Sequence, residues 1–586
     1  MSTLVRMAAL GLLFASVFCT GYSEALETDF GGRVQSTFVL RDINGFQYSI
    51  FDETKGVQWR NELKFDITTR PEYEEYHNLR LDKVFLSYRG AYDAIFDVLK
   101  DRDAWENDGI REKSPADFEL GLDDIETEND LREAFVDFVA EASDRSQSAV
   151  LRIGRQIAQW GEADGFNVVN VLNPFDNSVL MFFENPDDLA TPLWMGRLNY
   201  SRGSLGPLAD IGVEFVVIPD IRPHQFAPLD DNMNAPYAFG FHQLSDMGFD
   251  AFRGLSINRI ENVLSYIHLP QTVAFVQTVG ADTALSILDP LVSNLDVELP
   301  ALLNDPAYMA IIGQPLAGYH PPTQIQWRQD VPGSTINNTE YGVRFQAAYG
   351  LFTANLYYFH GFQDDPAMDF SHVFSDGVLR FTYPEQDMYG ASFNMFLSRI
   401  NAVLRGEGCM VDKASLVDLR GLFDAAFDGL LDGIVATGRG GPAALKGFDK
   451  KRVYQSLIAF DKNYWARWLN PNQMIVTVSQ AYWRHIEGWE YDRVFRPFDE
   501  QDNFRFTFYA TTDYLYGRIH PEIFFMYDTE NVWMTMVAIK YTKDGNLYYK
   551  LTQMSFWGDP DGISPFTQPV DLTGTSEISF RVGYNF

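Results

Sequence analysis

SEISFRVGYNF, residues 576–586, alternates apolar and polar side chains along its length. The apolar members are Ile578, Phe580, Val582, Tyr584 and Phe586, and the residues between them are polar or glycine. Because successive side chains of a β-strand point to opposite faces, this stretch predicts a strand with one apolar and one polar face. The apolar face must pack either on a protein core or on lipid, and the rest of the sequence distinguishes the two.

The N-terminal 25 residues have the features of a secretory signal peptide. Arg6 precedes an apolar run at 7–18, and a small-x-small cleavage site ends at Ala25. We therefore expect residues 1–25 to be removed during export. The alternative interpretation is a lipoprotein signal in which Cys19 is the acylated residue.

The composition excludes several classes of protein. The chain of 586 residues carries 46 Lys and Arg against 80 Asp and Glu, a net charge of −34, and nucleic-acid phosphates require a basic surface instead. With the signal peptide removed, Cys409 is the one remaining cysteine, so an intramolecular disulfide is excluded. After residue 25 no stretch offers the roughly 20 uninterrupted apolar residues of a membrane helix. A closed β-barrel is the other structure that satisfies every backbone hydrogen bond in lipid.

Alternating stretches recur along the chain and predict about 14–18 strands. The clearest hairpin joins 533–543 to 546–556 through Asp544-Gly545, a pair suited to a two-residue type I′ turn. The candidate strands are 33–42, 56–68, 78–90, 128–140, 148–157, 192–202, 210–219, 339–348, 352–360, 376–383, 389–406, 452–469, 473–486, 503–514, 517–529, 533–543, 546–556 and the C-terminal stretch. Most of them match the length of about ten residues that a tilted transmembrane strand requires.

The connections between these strands alternate between short and long. Counted back from the C-terminus, every second connection is short, among them 544–545 and 384–387, whereas the long ones include 220–338 and 407–451. Short turns at one end and long loops at the other are typical of a bacterial outer-membrane barrel. We therefore predict that residues 26–586 form one all-β domain. This domain is a transmembrane antiparallel β-barrel of the bacterial outer membrane, with long, partly helical extracellular loops.

Two of the long loops are expected to be partly folded. Residues 407–451 contain apolar residues at helical spacing, and residues 220–338 are unusually apolar for an insertion. Two interpretations of such a segment remain open. It is either a cap or plug that packs on itself, or an entry site for a hydrophobic ligand.

Known catalytic and cofactor motifs are missing from the sequence. His-Glu-x-x-His, Cys-x-x-Cys, P-loop and Gly-x-Ser-x-Gly patterns do not occur, and the nine His residues are scattered, so we predict no enzyme activity, no cofactor and no metal site. A hydrolase triad assembled from distant strands is an alternative, with His360 or His520 as its base. The acidic stretch 106–130 is either a solvated loop or a site for divalent cations that bridge lipopolysaccharide phosphates.

Charged residues on two predicted strands share the face opposite the apolar one. Glu133 and Asp137 alternate with apolar residues on the first strand, and Arg152 and Gln156 do so on the second. Because a charge that faces hydrocarbon near the midplane costs roughly 2–4 kcal/mol, these side chains are expected to line the lumen. Arg152 is expected to pair with Glu133 or Asp137, and whether such pairs also select a substrate is left open.

Several blocks of sequence resemble one known family. The blocks are Gly154-Arg155-Gln156, Trp160-Gly161, Asp164-Gly165 and Asn173-Pro174 within 131–176, then TPLWMGRLNY (191–200), TYPEQDMYGASFN (382–394) and AFDKNYWARWLNP (459–471). Together they resemble an outer-membrane barrel family catalogued as domain of unknown function 1302 (DUF1302). No motif of the family covers the insertion at 220–338.

The resemblance implies an outer-membrane barrel of a Gram-negative bacterium whose function is unsettled. Genes of the family are often found near those of RND-type permeases and of a periplasmic or lipoprotein partner family. That context suggests export or trafficking of a hydrophobic compound. The family supplies no catalytic residues that could be transferred to this chain.

The block around Trp160 follows a predicted strand that begins at a short turn, which places the block at the outer rim. A loop folded back into the lumen would bring Glu162 and Asp164 into the channel. Together with the charged wall they form the predicted lumen or constriction set, which consists of Glu133, Asp137, Arg152, Arg155, Gln156, Trp160, Glu162 and Asp164.

The leading functional prediction is an outer-membrane channel or transport protein with a polar lumen capped by extracellular loops. It would handle a small or hydrophobic compound, with outer-membrane lipid, lipopolysaccharide, an RND-type permease and a periplasmic or lipoprotein protein as partners. The alternatives are a barrel enzyme that acts on lipid and a plugged surface protein with a binding or structural role.

The C-terminal alternation makes one further prediction. Phe580, Val582, Tyr584 and Phe586 resemble the recognition signal of the outer-membrane assembly machinery, which is the remaining expected partner. The terminal strand is expected to pair with the first strand, near 33–42, because this pairing closes the sheet and removes both of its edges.

Overall fold

The structure of the protein, a computed structural model, describes residues 26–42, 54–71, 79–95, 127–176, 186–225, 326–369, 378–417, 448–489, 501–529, 532–558 and 576–586. Within them an antiparallel sheet of 18 strands closes on itself as a barrel. Its strands are β1 (Leu26–Asp42), β2 (Thr54–Pro71), β3 (Leu79–Asp93), β4 (Thr127–Glu141), β5 (Gln147–Gln156), β6 (Leu193–Leu205), β7 (Leu208–Ile218), β9 (Glu340–Tyr349), β10 (Phe352–Phe362), β13 (Glu385–Leu397), β14 (Ala402–Val417), β15 (Phe448–Tyr464), β16 (Ile475–Ile486), β17 (Asp502–Thr511), β18 (Ile519–Asp528), β19 (Val532–Thr542), β20 (Leu547–Gly558) and β21 (Ser576–Asn585).

The remaining elements of the described chain are short. A separate three-stranded sheet contains β8 (Gln326–Asp330), β11 (Ala367–Asp369) and β12 (Val378–Thr382). One α-helix, α1 (Pro186–Leu189), and one 3-10 helix, Ile336–Asn338, complete the set. Among these described elements, none is a helix long and apolar enough to cross a membrane.

The barrel closes where the first and the last wall strands pair. β21 pairs with β20 on one side and with β1 on the other, in a register that runs from Arg33 opposite Asn585 to Asp42 opposite Ser576. Two further hydrogen bonds, each 3.0 Å long, join Gly32 and Phe586 through their backbone N and O atoms. The predicted pairing of the C-terminal strand with the first strand is therefore confirmed.

The outward face of the wall is a belt of exposed apolar side chains. On β21 the side chains of Phe580 and Tyr584 point outward, whereas Arg581 points inward and donates to Thr37 Oγ1 at 2.9 Å. The belt includes Phe38, Trp59, Leu63, Leu151, Ile153, Trp194, Leu198, Phe215, Phe345, Leu356, Ile458, Phe504, Phe506, Phe508, Ile523, Val537, Ile539 and Leu551. Because this face is apolar on strands of at least ten residues, it is the surface that a bilayer requires. The predicted class, a membrane-spanning antiparallel barrel, is confirmed.

Two strand predictions were wrong, although the number of strands falls within the predicted range. Residues 376–383 are not part of the wall, because β12 pairs with β8 and β11 in the separate sheet. Residues 389–406 belong to two wall strands, β13 and β14, whose short turn is 398–401. Asn401 at φ 50° marks the reversal of the chain in this turn. The segment 384–387 is consequently not a turn between wall strands.

The loop predicted at 407–451 was wrong at both of its ends. β14 continues to Val417 and β15 begins at Phe448, so residues 407–417 and 448–451 belong to the wall, and Glu407 and Cys409 point into the barrel. The helices predicted there fall on 418–447, which lie outside the described residues. The same holds for the signal peptide at 1–25, for most of the acidic stretch 106–130, and for most of the insertion at 220–338.

Candidate functional site in the barrel lumen

One connection of the chain folds into the barrel and packs on the inner wall. This inner segment, residues 157–176, connects β5 toward β6. Its buried apolar side chains are Ala158, Trp160, Phe166, Val168, Val169 and Leu172. They form one core with inward-facing side chains of β6, β7, β10, β13, β14, β15 and β16. The inner segment therefore covers an apolar part of the wall.

Trp160 is the largest side chain of this core and is 1% exposed. Its ring lies 5.4 Å from the ring of Tyr357 and 6.4 Å from that of Phe359, measured between centroids. The wall makes room for it at Gly342, where a Cβ atom would lie 2.5 Å from Trp160 Cη2. A glycine on β9 thus provides the space that the indole ring fills.

A tight turn follows at Gly161, which has φ 91°, a conformation that side chains other than glycine adopt at a cost. A Cβ atom here would also lie 2.5 Å from Glu407 Oε2 and 2.7 Å from Val169 Cγ2. The same Glu407 oxygen accepts the backbone N–H of Glu162 at 2.5 Å. The Trp160-Gly161 block therefore fixes the close approach of this turn to the buried carboxylate on β14.

Arg405 and Gln480 hold the middle of the inner segment. The Arg405 guanidinium contacts Asp164 Oδ2 at 2.5 Å and Asp461 at 2.7 Å, and it also donates to the carbonyl oxygen of Glu162. The Gln480 side-chain amide accepts from the N–H of Asp164 at 3.0 Å and donates to its carbonyl oxygen at 2.8 Å. Glu162 and Asp164 thus contact inward-facing side chains of three wall strands, β13 through Asn394, β14 through Arg405 and Glu407, and β16 through Gln480.

The end of the inner segment is ordered by an asparagine. Asn173 Oδ1 accepts from the N–H of Ala158 at 2.8 Å, and its Nδ2 donates to the carbonyl oxygen of Thr191 at 2.9 Å. One buried side chain therefore ties the start of the segment to its end, which keeps the whole connection compact.

The predicted wall residues lie near the base of this segment. Arg152 pairs with Asp137 at 2.7 Å, while Glu133 Oε1 accepts the N–H of Ile157 at 3.1 Å. Of the two partners predicted for Arg152, the structure therefore selects Asp137.

Arg155 and Gln156 are both buried next to these residues. Arg155 pairs with Asp130 at 2.9 Å, and Gln156 donates to the carbonyl oxygen of Met195 at 3.1 Å. The role of the whole set as a constriction stays a prediction.

A second group of lumen residues lies on β1 to β4 and is basic. Arg33 lies opposite Lys64, and Lys64 lies opposite Arg89, in the register of the sheet. Asp188 of α1 contacts this row, with Oδ2 2.7 Å from Arg33 and Oδ1 3.8 Å from Lys64. Burial alone would raise the pKa of the Asp188 carboxyl, but the charge and hydrogen bond of Arg33, followed by Lys64 and Arg89, lower it. Asp188 is therefore ionised at neutral pH.

The sequence offered part of the signal for these missed residues. Arg33, Lys64 and Arg89 each alternate with apolar neighbours on a predicted strand, which would have placed them in the lumen. Their side-by-side arrangement depends on the strand register, which the alternation does not provide. Glu407 was missed because its position was assigned to a loop.

The two histidines considered for a barrel enzyme each lie beside an aspartate. His520 lies between Asp513 and Thr511, with its ring nitrogens 2.7 Å from Asp513 Oδ1 and 3.0 Å from Thr511 Oγ1. The Thr511 hydroxyl also donates to the carbonyl oxygen of Pro521 at 2.9 Å. His360 pairs with Asp387 at 2.9 Å.

Cys409 lies beneath the inner segment and provides a probe of its position. Its Sγ donates to the carbonyl oxygen of Val168 at 3.0 Å, and the residue is buried. We expect a maleimide to modify it at least ~100-fold more slowly in the folded barrel than in the urea-unfolded chain. A control protein with Cys409→Ser and Ser146→Cys, where Ser146 lies in an exposed turn, should react rapidly in both states. Equal rates for Cys409 in the two states would contradict this packing.

A family model described as "Protein of unknown function (DUF1302)" matches residues 64–586. The chain belongs to this family. The matched range of the DUF1302 chain contains β3 to β21, with the inner segment and the wall residues at its base, and it begins at Lys64, so it leaves out Arg33 on β1. No curated protein sequence matches the chain.

Several solved structures are similar to this DUF1302 chain over its length, at low identity. Acinetobacter baumannii OccAB3 is 9% identical, with 96% of this chain and 99% of that chain covered and a TM-score of 0.40. The outer membrane protein OpdK from Pseudomonas aeruginosa is 8% identical, with 96% and 99% covered and a TM-score of 0.38. Salmonella typhi OmpF in complex with daunomycin is 8% identical, with 96% and 99% covered and a TM-score of 0.35. Likeness at this level carries no inference about what the DUF1302 chain binds.

Proposed function

We propose that this DUF1302 protein is an outer-membrane channel or transport protein whose passage is restricted by the inner segment. The observation that carries the proposal is the division of the wall into two surfaces. An apolar belt faces outward, and inward-facing side chains surround a segment of the chain that lies inside the barrel. A membrane-spanning barrel with a polar interior is suited to moving a solute across the bilayer.

The proposed location is the outer membrane of a Gram-negative bacterium. Three features support it: the signal peptide predicted at 1–25, the closed barrel, and the C-terminal strand with Phe580, Val582, Tyr584 and Phe586 facing outward for the assembly machinery. Outer-membrane lipid and lipopolysaccharide would then contact the apolar belt and its rim.

The apolar wall beneath the inner segment supports a small or hydrophobic cargo. If the segment moves aside, side chains such as Met195, Ile218, Phe359 and Leu457 become available to an apolar molecule. The proposal extends to an RND-type permease and a periplasmic or lipoprotein protein as partners, which rests on the resemblance of the sequence blocks.

A plugged surface protein with a binding or structural role is the second candidate. This candidate is favoured because Trp160, Glu162 and Asp164 fix the inner segment to the wall. A segment held by apolar packing and several charge-assisted hydrogen bonds opposes movement.

Planar-bilayer recordings on the purified protein separate these two candidates. We expect discrete current steps from the wild-type protein, because a polar lumen passes ions around the inner segment or when it moves. Lack of current from wild-type protein and from variants with a weakened inner segment would refute the channel and leave the plugged protein. Outer-membrane fractionation of the producing cells should place the protein with lipopolysaccharide.

A further inference from the structure

Three cationic side chains stand side by side on the inward face of β1, β2 and β3. Arg33 is the cross-strand partner of Lys64, and Lys64 is the partner of Arg89. Like charges directly opposite each other on a sheet are destabilising. The three positive charges of this row therefore repel one another, and an anion bound beside them would offset that repulsion.

The wall compensates part of this charge through its own carboxylates. Glu62 accepts from Arg33 at 2.9 Å, and Glu128 accepts from Arg89 at 2.5 Å. Both acidic residues lie on strands of the same wall, β2 and β4. Both ion pairs are therefore part of the barrel wall. They involve the two outer cations of the row, and neither of them includes Lys64, which lies in the middle.

The third carboxylate, Asp188, has a different origin. It is carried by α1, on the connection that enters the lumen, and not by a wall strand. Its side chain contacts Arg33 and Lys64, whereas Arg89 donates to its main-chain carbonyl oxygen at 3.0 Å. Arg132 donates in the same way to the carbonyl oxygen of Ala190 at 2.7 Å. Arg89 and Arg132 have wall carboxylates as partners, Glu128 at 2.5 Å and Asp130 at 3.8 Å, so Asp188 supplies the carboxylate that the connection brings to Arg33 and Lys64.

We propose that this row is a subsite for a carboxylate-bearing solute in the lumen, and that Asp188 occupies it as an internal ligand until such a solute replaces it. The inference rests on the proposed channel function, since it names a class of solute for the same lumen. It is notable for a chain with a net charge of −34, because overall charge alone would favour cations.

The exposure of the four basic residues shows from which side a solute reaches the row. The side chains of Arg33 and Lys64 are 22% and 25% exposed, whereas those of Arg89 and Arg132 are 1% and 4% exposed. Arg33 and Lys64, which contact the Asp188 carboxylate, are thus the accessible members of the row. A solute carboxylate can form the same ion pairs there once the Asp188 side chain turns away.

Calorimetric titration of the purified, detergent-solubilised protein with succinate tests the subsite. Wild-type protein should bind succinate weakly, because Asp188 competes for the row. Asp188→Asn, which keeps the size of the side chain and removes its charge, should bind at least ~10-fold more tightly. Adding Arg33→Gln to that variant should abolish the gain, and neutral succinamide should not bind to any of these proteins.

A matched control removes a different carboxylate from the same pair of strands. Asp29 on β1 pairs with Arg70 on β2 at 2.9 Å in an exposed position, so Asp29→Asn should leave the succinate affinity unchanged. Unchanged affinity in folded Asp188→Asn, or an equal gain in Asp29→Asn, would overturn the subsite and make Asp188 a structural contact only.

A second variant covers the case in which Asp188→Asn fails to fold. Lys64→Gln in otherwise wild-type protein should remove the weak succinate binding, and binding that persists would overturn the proposal. Calorimetry requires no channel activity. Absent current in planar bilayers would therefore refute the proposed function alone, whereas current without succinate binding would refute the subsite alone.

Discussion

Replacing Trp160 by alanine is expected to release the inner segment from the wall of the barrel. The indole ring is almost fully buried and fills the space above Gly342. Removal of such a ring from a packed core costs about 3–5 kcal/mol. Because the ring joins a loop to the wall and belongs to no strand, this cost falls on the docking of residues 157–176 and not on the barrel.

The expected result is a faster reaction of Cys409 with a maleimide. If modification proceeds through opening of the inner segment, a cost of about 3–5 kcal/mol corresponds to an increase in rate of about 10²- to 5 × 10³-fold. The same variant should show larger or more frequent current steps in planar bilayers than the wild type. Its heat-modifiable migration in gel electrophoresis should remain that of a closed barrel.

Trp194→Ala is the matched control for this experiment. Trp194 lies on β6 and faces outward, where 37% of it is exposed. Its loss should leave the reaction rate of Cys409 and the current unchanged. If Trp160→Ala and Trp194→Ala accelerate the reaction equally, then the barrel as a whole has loosened and the inner segment is not a separate unit.

The architecture could be predicted because the signal for a wall strand is local. The hairpin of β19 and β20 is an example, since alternation marks both strands and Gly545, at φ 84°, lies in the turn between them. The structure has a connection of 543–546, two residues longer than the predicted turn. Alternation failed at 376–383 for a physical reason: it shows that a strand has two faces, not which sheet the strand joins.

The lumen was less predictable because its contacts depend on register and on long-range folding. Asp137 and Arg152 could be placed on the inward face, and their pairing follows from a hairpin of neighbouring strands. In contrast, Glu407 accepts a hydrogen bond from the backbone N–H of Glu162, which lies 245 residues away in the sequence. No periodic pattern encodes that contact. The basic row on β1 to β3 requires two registers to be known at once.

Substitution of Gly32 by valine is expected to prevent normal closure of the barrel. A Cβ atom at this position would collide with the backbone carbonyl of Lys64 and would lie 2.7 Å from Phe586 Cζ. Gly32 also exchanges two backbone hydrogen bonds with Phe586, at the end of the seam between β1 and β21. Overpacking of this kind costs about 1–3 kcal/mol, and here it acts at the one pairing that joins the two ends of the sheet.

The yield of heat-modifiable, membrane-inserted protein measures this effect, and a second variant separates its two causes. Deletion of Phe586 removes both the contact with Gly32 and the terminal aromatic residue of the predicted assembly signal, whereas Gly32→Val leaves that signal intact. We expect both variants to lower the yield, with the deletion having the larger effect. Gly196→Val on β6 is the control, since a Cβ atom there meets no other atom within 4 Å. A normal yield from Gly32→Val, together with a loss on deletion of Phe586, would mean that the terminal aromatic acts through recognition alone and that its contact with Gly32 is dispensable.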